Sequence, residues 1–179
     1  QNCKSLSKII IPDGITSIDD FAFYGCANLS SISVKGDVNH LGRYAFTNTA
    51  YYNDKTNWEN NALYLGNCLI EVDTATSGDY EIKSGIKTIG EYALSYCGEI
   101  TSLKLPDTVK NICDNAFYCC EKLEAVLIPA GVVSIGTNAF SFCEALKTVC
   151  YKGTKTQWDS IVIGGYNEPL SSANIYYES

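Results

Sequence analysis

Nine cysteines and a single histidine are the residues of this 179-residue chain best suited to chemistry. Cys3, Cys26, Cys97, Cys120 and Cys143 fall into one column of a recurring pattern, while Cys68, Cys113, Cys119 and Cys150 lie off it. An odd count and a repeat-like spacing argue against a disulfide framework. Column neighbours on adjacent strands come within about 5 Å, inside the Cα window for a disulfide, but their side chains point the same way into a core. The column is therefore expected to hold free, buried thiols. Off the column, one disulfide pair or a reactive thiol stays open. No Cys-x-x-Cys pair occurs and His40 stands alone, so the ligand spacing of a zinc site is missing. His40 shares its position with Ser17, Asn111 and Ser134, where an exposed turn residue is expected rather than a general base. Acidic residues such as Asp19, Asp20 and Glu121 are scattered over turns, and the repeat sets no carboxylate pair on neighbouring strands. Gly164-Gly165 lacks the strand-turn-helix context of a phosphate loop. No catalytic residue, metal ligand or cofactor site is assigned, and the chain reads as a non-enzyme.

The elements that would position these residues repeat at an offset of 23, the step from Ile89 to Ile112 and from Ile112 to Ile135. The same step aligns Ala93, Ala116 and Ala139, then Leu94, Phe117 and Phe140, then Ile100, Leu123 and Leu146. Ile18, Ala22, Phe23, Cys26, Leu29, Ile32 and Val34 form an earlier copy, and Leu41, Ala45 and Phe46 begin the next. A unit this small cannot bury its own apolar face, so the copies must stack into a solenoid. Segments such as Leu29 to Val34 and Leu123 to Ile128 alternate at their ends, which predicts short strands that pair into a curved parallel β-sheet. Ile89 to Leu94 and its equivalents predict a single helical or 3₁₀ turn on the opposite side. About six coils result. Cys3 and Leu6 occupy the columns of Cys26 and Leu29, so the chain opens in mid-unit, with an upstream repeat expected before Gln1 and any export leader expected to have been removed or to lie outside this segment.

The unit Ile-x-x-x-Ala-Phe-x-x-Cys-x-x-Leu-x-x-Val-x-Ile-Pro at Ile112 to Pro129 resembles the treponemal-type, BspA-like leucine-rich repeat family of bacterial surface proteins. Tyr51, Tyr52, Trp58 and Tyr64-Leu65-Gly66, and the closing Tyr151-x-Gly153-Thr154 with Trp158, are similar to further elements of that family. Cys113 and Asp19 depart from its glycine, Thr49 from its cysteine and Leu94 from its phenylalanine. The resemblance implies a leucine-rich repeat solenoid in a cell-surface or secreted setting and, for some members, attachment to host matrix proteins or other cells. It specifies a coil and not a ligand.

On this reading residues 1–179 form one domain: N-terminal repeats over 1–46, an irregular insert over 47–79, regular repeats over 80–152 and a cap over 153–179. Within the insert, Gly66-Asn67 separates two apolar runs and predicts a β-hairpin. The alternation places Lys8, Ser31, Asp79, Ser102, Ala125 and Thr148 in one outward row of the sheet. A second row holds Ile10, Ser33, Glu81, Lys104, Leu127 and Cys150. These rows are one candidate binding surface for a protein or glycan, host extracellular matrix included. Tyr51, Tyr52 and Trp58 are the other candidate, unless they serve only to cover the core where the repeat is interrupted. The net charge of -7 and the absence of a basic run disfavour nucleic acid. No apolar run approaches the roughly 20 residues that span a bilayer. A monomeric adhesion module is expected. An architectural stalk is the alternative, and an enzyme would require a cleft between insert and coil that brings together paired carboxylates or a cysteine and a base.

Overall fold

The structure, a computed structural model, describes residues 2–178. It is a parallel-strand β-solenoid of about seven turns. Two ladders run along it. The long-strand ladder contains Ser77–Glu81, Glu99–Lys104, Ala125–Ile128, Thr148–Tyr151 and Asn174–Tyr177 in one five-stranded sheet, with Lys8–Ile11 and Ser31–Val34 forming a separate pair. The short-strand ladder stacks Thr88–Ile89, Asn111–Ile112, Ser134–Ile135 and Val162–Ile163, and Ser17–Ile18 pairs apart with His40–Leu41. Every pairing between coils is parallel, because each strand is followed by a complete circuit of the chain.

In the regular coils the return side is built from single i→i+3 turns that do not run on into a helix. Ala93, Ser95 and Cys97 donate to Gly90, Tyr92 and Leu94, while the intervening Leu94 and Tyr96 N–H groups donate to Ala116 and Tyr118 of the next coil. Alternate amides thus close the turn and join the coils. The geometry requires left-handed backbone twice per coil, at Phe21, Tyr44, Tyr92, Asn115 and Asn138 and again at Gly25, Asn48, Tyr96, Cys119 and Phe142. A helix cannot continue through such residues. Close approach of the backbones explains the glycine column: a Cβ on Gly136 would lie 2.5 Å from the amide nitrogen of Asp114, and one on Gly42 2.4 Å from that of Asp20.

The C-terminal segment loses the sequence columns yet keeps the ladders. Val162–Ile163 pairs with Ser134–Ile135 and Asn174–Tyr177 with Thr148–Tyr151, which adds a coil to the six read from the sequence. Gly164 and Tyr166 retain the backbone roles of the lost columns, Gly164 beside the Thr137 nitrogen and Tyr166 at φ 59°. Only the apolar spacing was replaced.

The core divides where the repeat is interrupted. One cluster holds Ile11, Ile18, Val38, Leu41, Ala45 and Phe46, and a larger one runs from the insert through Ile89, Phe117 and Phe140 to Leu170. The predicted hairpin, Ala62–Leu65 against Cys68–Val72, is the wedge between them. Leu65 and Cys68 enter the first cluster, while Ala62, Tyr64, Leu69 and Val72 enter the second. Cys68 and Leu69 pair in parallel with Thr88 and Ile89, taking the place of a preceding coil.

The same stacking explains the buried column cysteines, but Cys3, expected to be buried with them, is exposed in the first coil. Cys97, Cys120 and Cys143 are wholly buried, and each thiol faces the preceding turn: Cys97 at 3.8 Å from the Val72 carbonyl, Cys120 at 3.2 Å from that of Leu94 and Cys143 at 3.1 Å from that of Phe117. Cys68, Cys113, Cys119 and Cys150 are also free thiols, so no pair forms off the column. Burial pushes Cys97 up to about 12 and Cys113 up to about 11, leaving negligible thiolate at neutral pH. Iodoacetamide at neutral pH is expected to spare Cys26, Cys68, Cys97, Cys113, Cys120 and Cys143 in the folded chain and to modify all nine cysteines in urea. Peptide mass spectrometry distinguishes the two patterns, and rapid native labelling of Cys26, Cys97, Cys120 or Cys143 would contradict this packing.

Candidate functional site

The outward rows are real registers. Lys8 pairs with Ser31 and Ile10 with Ser33; Asp79, Ser102, Ala125 and Thr148 align, as do Glu81, Lys104, Leu127 and Cys150. The structure does not bring them onto one sheet, because the hairpin interrupts the ladder after Ser31–Val34, with Gly66 set against the Val34 side chain. Much of the polar chemistry is satisfied across the strands: Ser102 donates to Asp79 at 2.6 Å and Lys104 pairs with Glu81 at 2.7 Å.

The insert aromatics are half-buried and tethered. Thr49 caps the short helix Ala50–Asn53, accepting from the Tyr52 amide, and so orients Tyr51 and Tyr52. The Tyr51 hydroxyl donates to the Tyr64 carbonyl at 2.8 Å, and the Trp58 indole N–H donates to the Tyr52 carbonyl at 3.0 Å. Tyr51 packs against the N-terminal core cluster. Asn67 at the hairpin turn makes a reciprocal pair of bonds with the Val38 backbone, at 3.0 and 2.9 Å. These contacts seat the insert firmly on the coil.

Beside it, between insert and coil, lies a cleft of the kind the enzyme alternative requires, lined, Tyr52 apart, by residues that the sequence reading did not name as a site. The coils carrying Leu41 and Glu91 are adjacent, with the Glu91 amide donating to the Leu41 carbonyl at 2.8 Å. Beyond that contact they diverge, since the Ala93 carbonyl accepts from Val72 of the insert. The fork encloses a cavity of about 180 Å³ lined by Tyr44, Tyr52, Glu71, Glu91, Tyr92 and Tyr96 among others. Tyr44 and Tyr92 stack across the break, ring centroids 6.1 Å apart, and Tyr44 and Tyr96 are 48% and 61% exposed. The Tyr52 hydroxyl reaches both Glu71 oxygens, at 2.7 and 2.8 Å. His40 Nε2 stands 3.5 Å from Glu91. A signal for these residues existed: Phe21, Tyr44 and Tyr92 repeat in one column and point outward because their backbone is left-handed. Reading that stretch as a helical turn hid it.

Burial pushes both carboxyls above the ordinary carboxylate range. For Glu71, Tyr52 and Lys55 oppose the shift and Asp73 adds to it; for Glu91, Asp20 and Asp114 add to it and His40 opposes it. Each acid holds its proton more tightly folded than unfolded, so its contribution to stability is full below the unfolded value and lost as pH rises through the folded one. Glu71→Gln and Glu91→Gln are therefore expected to unfold at higher urea than the parent at neutral pH, by on the order of 0.5 kcal/mol each after solvent screening. The gap should close towards about pH 4. Urea titrations at both pH values check this, and a neutral-pH loss in either variant would contradict it.

A solenoid of parallel coils with this motif is matched by the family model for the BspA type leucine rich repeat region, in six copies over residues 1–71 and 73–175. The chain belongs to this family. BspA-type repeats are those of bacterial surface proteins, and such repeat proteins are typically non-enzymatic. A leucine-rich repeat protein from Eubacterium ventriosum shares the fold: the alignment covers 100% of this chain and 62% of that one, at 19% identity and a TM-score of 0.53. The BspA-type chain thus spans less than two thirds of that relative's length. The leucine-rich repeat protein of T. pallidum aligns over 97% of this chain and 86% of its own, at 20% identity and a TM-score of 0.40. The pneumococcal vaccine antigen PcpA aligns over 97% and 57%, at 14% identity and a TM-score of 0.44. No curated protein matches the chain significantly.

Proposed function

We propose that this BspA-type chain is a non-enzymatic recognition module of a bacterial cell-surface or secreted protein, adhering to a host or neighbouring-cell protein or glycan. The observation that carries the reading is the cleft at the fork, where exposed tyrosines surround two half-buried carboxylates. Tyrosine supplies large contact area at small entropic cost and is enriched where interfaces concentrate their energy. Recognition here needs no cofactor. A stalk that spaces other domains is the second reading, favoured by a sheet face whose polar groups pair with each other, as Lys104 does with Glu81.

The test titrates the chain against immobilised matrix proteins and a glycan panel, with two variant sets. One carries Lys8→Ala, Glu81→Ala and Lys104→Ala on the sheet face; the other carries Tyr96→Ala and Tyr44→Ala at the cleft. Saturable binding lost only in the second set supports the proposal. Loss only in the first moves the site to the sheet face, and no saturable binding to any target favours the stalk.

A further inference from the structure

Regular coils leave no room between them, because alternate amides of each turn bond to the next coil. The fork is different, and its dimensions restrict what enters. Pockets for drug-sized ligands run from about 300 to 1,000 Å³. At about 180 Å³ this cavity accommodates a group the size of one side chain, with the rest of any ligand outside.

The walls then select the chemistry. Tyr44, Tyr92 and Tyr96 present aromatic rings, whose faces attract cations. Glu71 and Glu91 contribute carboxylates from opposite sides of the fork, one from the insert and one from the coil. Among the described residues Glu71 has no ion-pair partner, only the Tyr52 hydroxyl. The neighbouring cations are engaged elsewhere: Lys55 Nζ lies 3.5 Å from the Trp58 ring centroid, and Arg43 pairs with Asp20 at 2.9 Å. Glu91 faces His40 at 3.5 Å, a cation only when protonated, whereas Glu71 is a half-buried carboxylate with no ion pair among the described residues, which is costly, and an entering cation removes that cost. A neutral sugar hydroxyl does not. The chain's charge of -7 also draws cationic partners towards it.

We infer that the cleft is a receptor for a basic side chain, arginine by preference, displayed by a partner protein. The inference rests on the recognition reading above and narrows it to a protein ligand. Arginine is preferred over lysine because a planar guanidinium stacks on tyrosine and donates in two directions, here to Glu71 and to Glu91. Association should weaken with added salt.

The test is an amide NMR titration of the whole 179-residue chain. The probes are acetyl-Gly-Arg-Gly-amide, its lysine and citrulline counterparts, and N-acetylglucosamine. Citrulline keeps the shape of arginine and removes the charge. The arginine peptide is expected to saturate, with shifts concentrated at residues 44, 71 and 91–96, and citrulline is expected to bind at least about tenfold more weakly. Glu71→Gln and Glu91→Gln should each lower arginine affinity about tenfold while leaving the circular dichroism spectrum unchanged, and Tyr96→Ala should lower it without altering charge. Equal binding of arginine and citrulline would overturn the inference. So would saturation by the sugar but not by arginine, shifts confined to other surfaces, or no saturable shift with the arginine peptide. If matrix targets bind and the glutamine variants leave that binding intact, the inference fails while the module reading stands. If arginine binds as expected but no matrix protein or glycan is captured, the cleft stands and adhesion to those targets fails.

Discussion

Leu69→Ala is expected to destabilise the protein by about 2–5 kcal/mol and to split a single unfolding transition into two. The side chain is wholly buried in the wedge, and the Leu69 carbonyl accepts from the Gly90 amide at 3.0 Å. Truncation removes apolar burial and leaves a cavity in the hairpin layer set between two separate core clusters. In a solenoid each coil is stabilised by its neighbours, so a weakened layer lowers cooperativity as well as stability. The two tryptophans report on the insert and on the far end of the coil: Trp58 sits on the insert and Trp158 in the C-terminal cap. In urea, the Trp58 signal of the variant should change at lower denaturant than the Trp158 signal. Leu103→Ala, a comparable loss inside the larger cluster, should shift both signals together. Coincident transitions in the Leu69 variant would show that the wedge does not carry the coupling.

The ladders were legible because their signal is periodic. The step from Ile89 to Ile112 predicts the register, and Ser102 does pair with Ala125 and Thr148 does follow. Gly66-Asn67 announced its hairpin through local turn chemistry. The cleft was not legible, for two physical reasons. Its residues come from coils that are not consecutive: Leu41 and Glu91 meet only because the insert loops out between them, and no local pattern records that contact. Tyr44, Tyr92 and Tyr96 occupy left-handed positions, where glycine and asparagine are the usual occupants and bulky residues are uncommon. A pattern of apolar residues four and five apart reads as a helical turn when every backbone is taken as right-handed. The cap was half-legible, since Trp158 and Ile161 are apolar as a cap requires, while the backbone ladder they continue has no apolar signature.

At that cap, Asn167→Asp is expected to cost about 3 kcal/mol or more at neutral pH, although the two side chains are nearly identical in shape. Asn167 is buried and stands in for backbone that a further coil would supply. Its Oδ1 accepts from the Phe140 amide at 2.9 Å, and its Nδ2 donates to the carbonyls of Gly136 and Gly164, each at 2.9 Å. In the regular coils the corresponding amide of Phe117 bonds to the Ala139 carbonyl of the next turn. An aspartate keeps the acceptor for Phe140 but turns the donor into an anion facing three carbonyl oxygens, those of Gly136, Gly164 and Gly165, with burial adding to the repulsion. Folding would raise the pKa of that carboxyl, so the variant should regain stability as pH falls through the folded value, when the protonated acid can again donate to one carbonyl. Asn167→Leu removes both roles without introducing charge, and should be destabilised at every pH. Urea titrations of the two variants at neutral and acidic pH separate the contributions. Recovery in acid by the aspartate variant alone would identify the donor side of Asn167 as the part that closes the solenoid, and matching pH profiles would place the cost in packing instead.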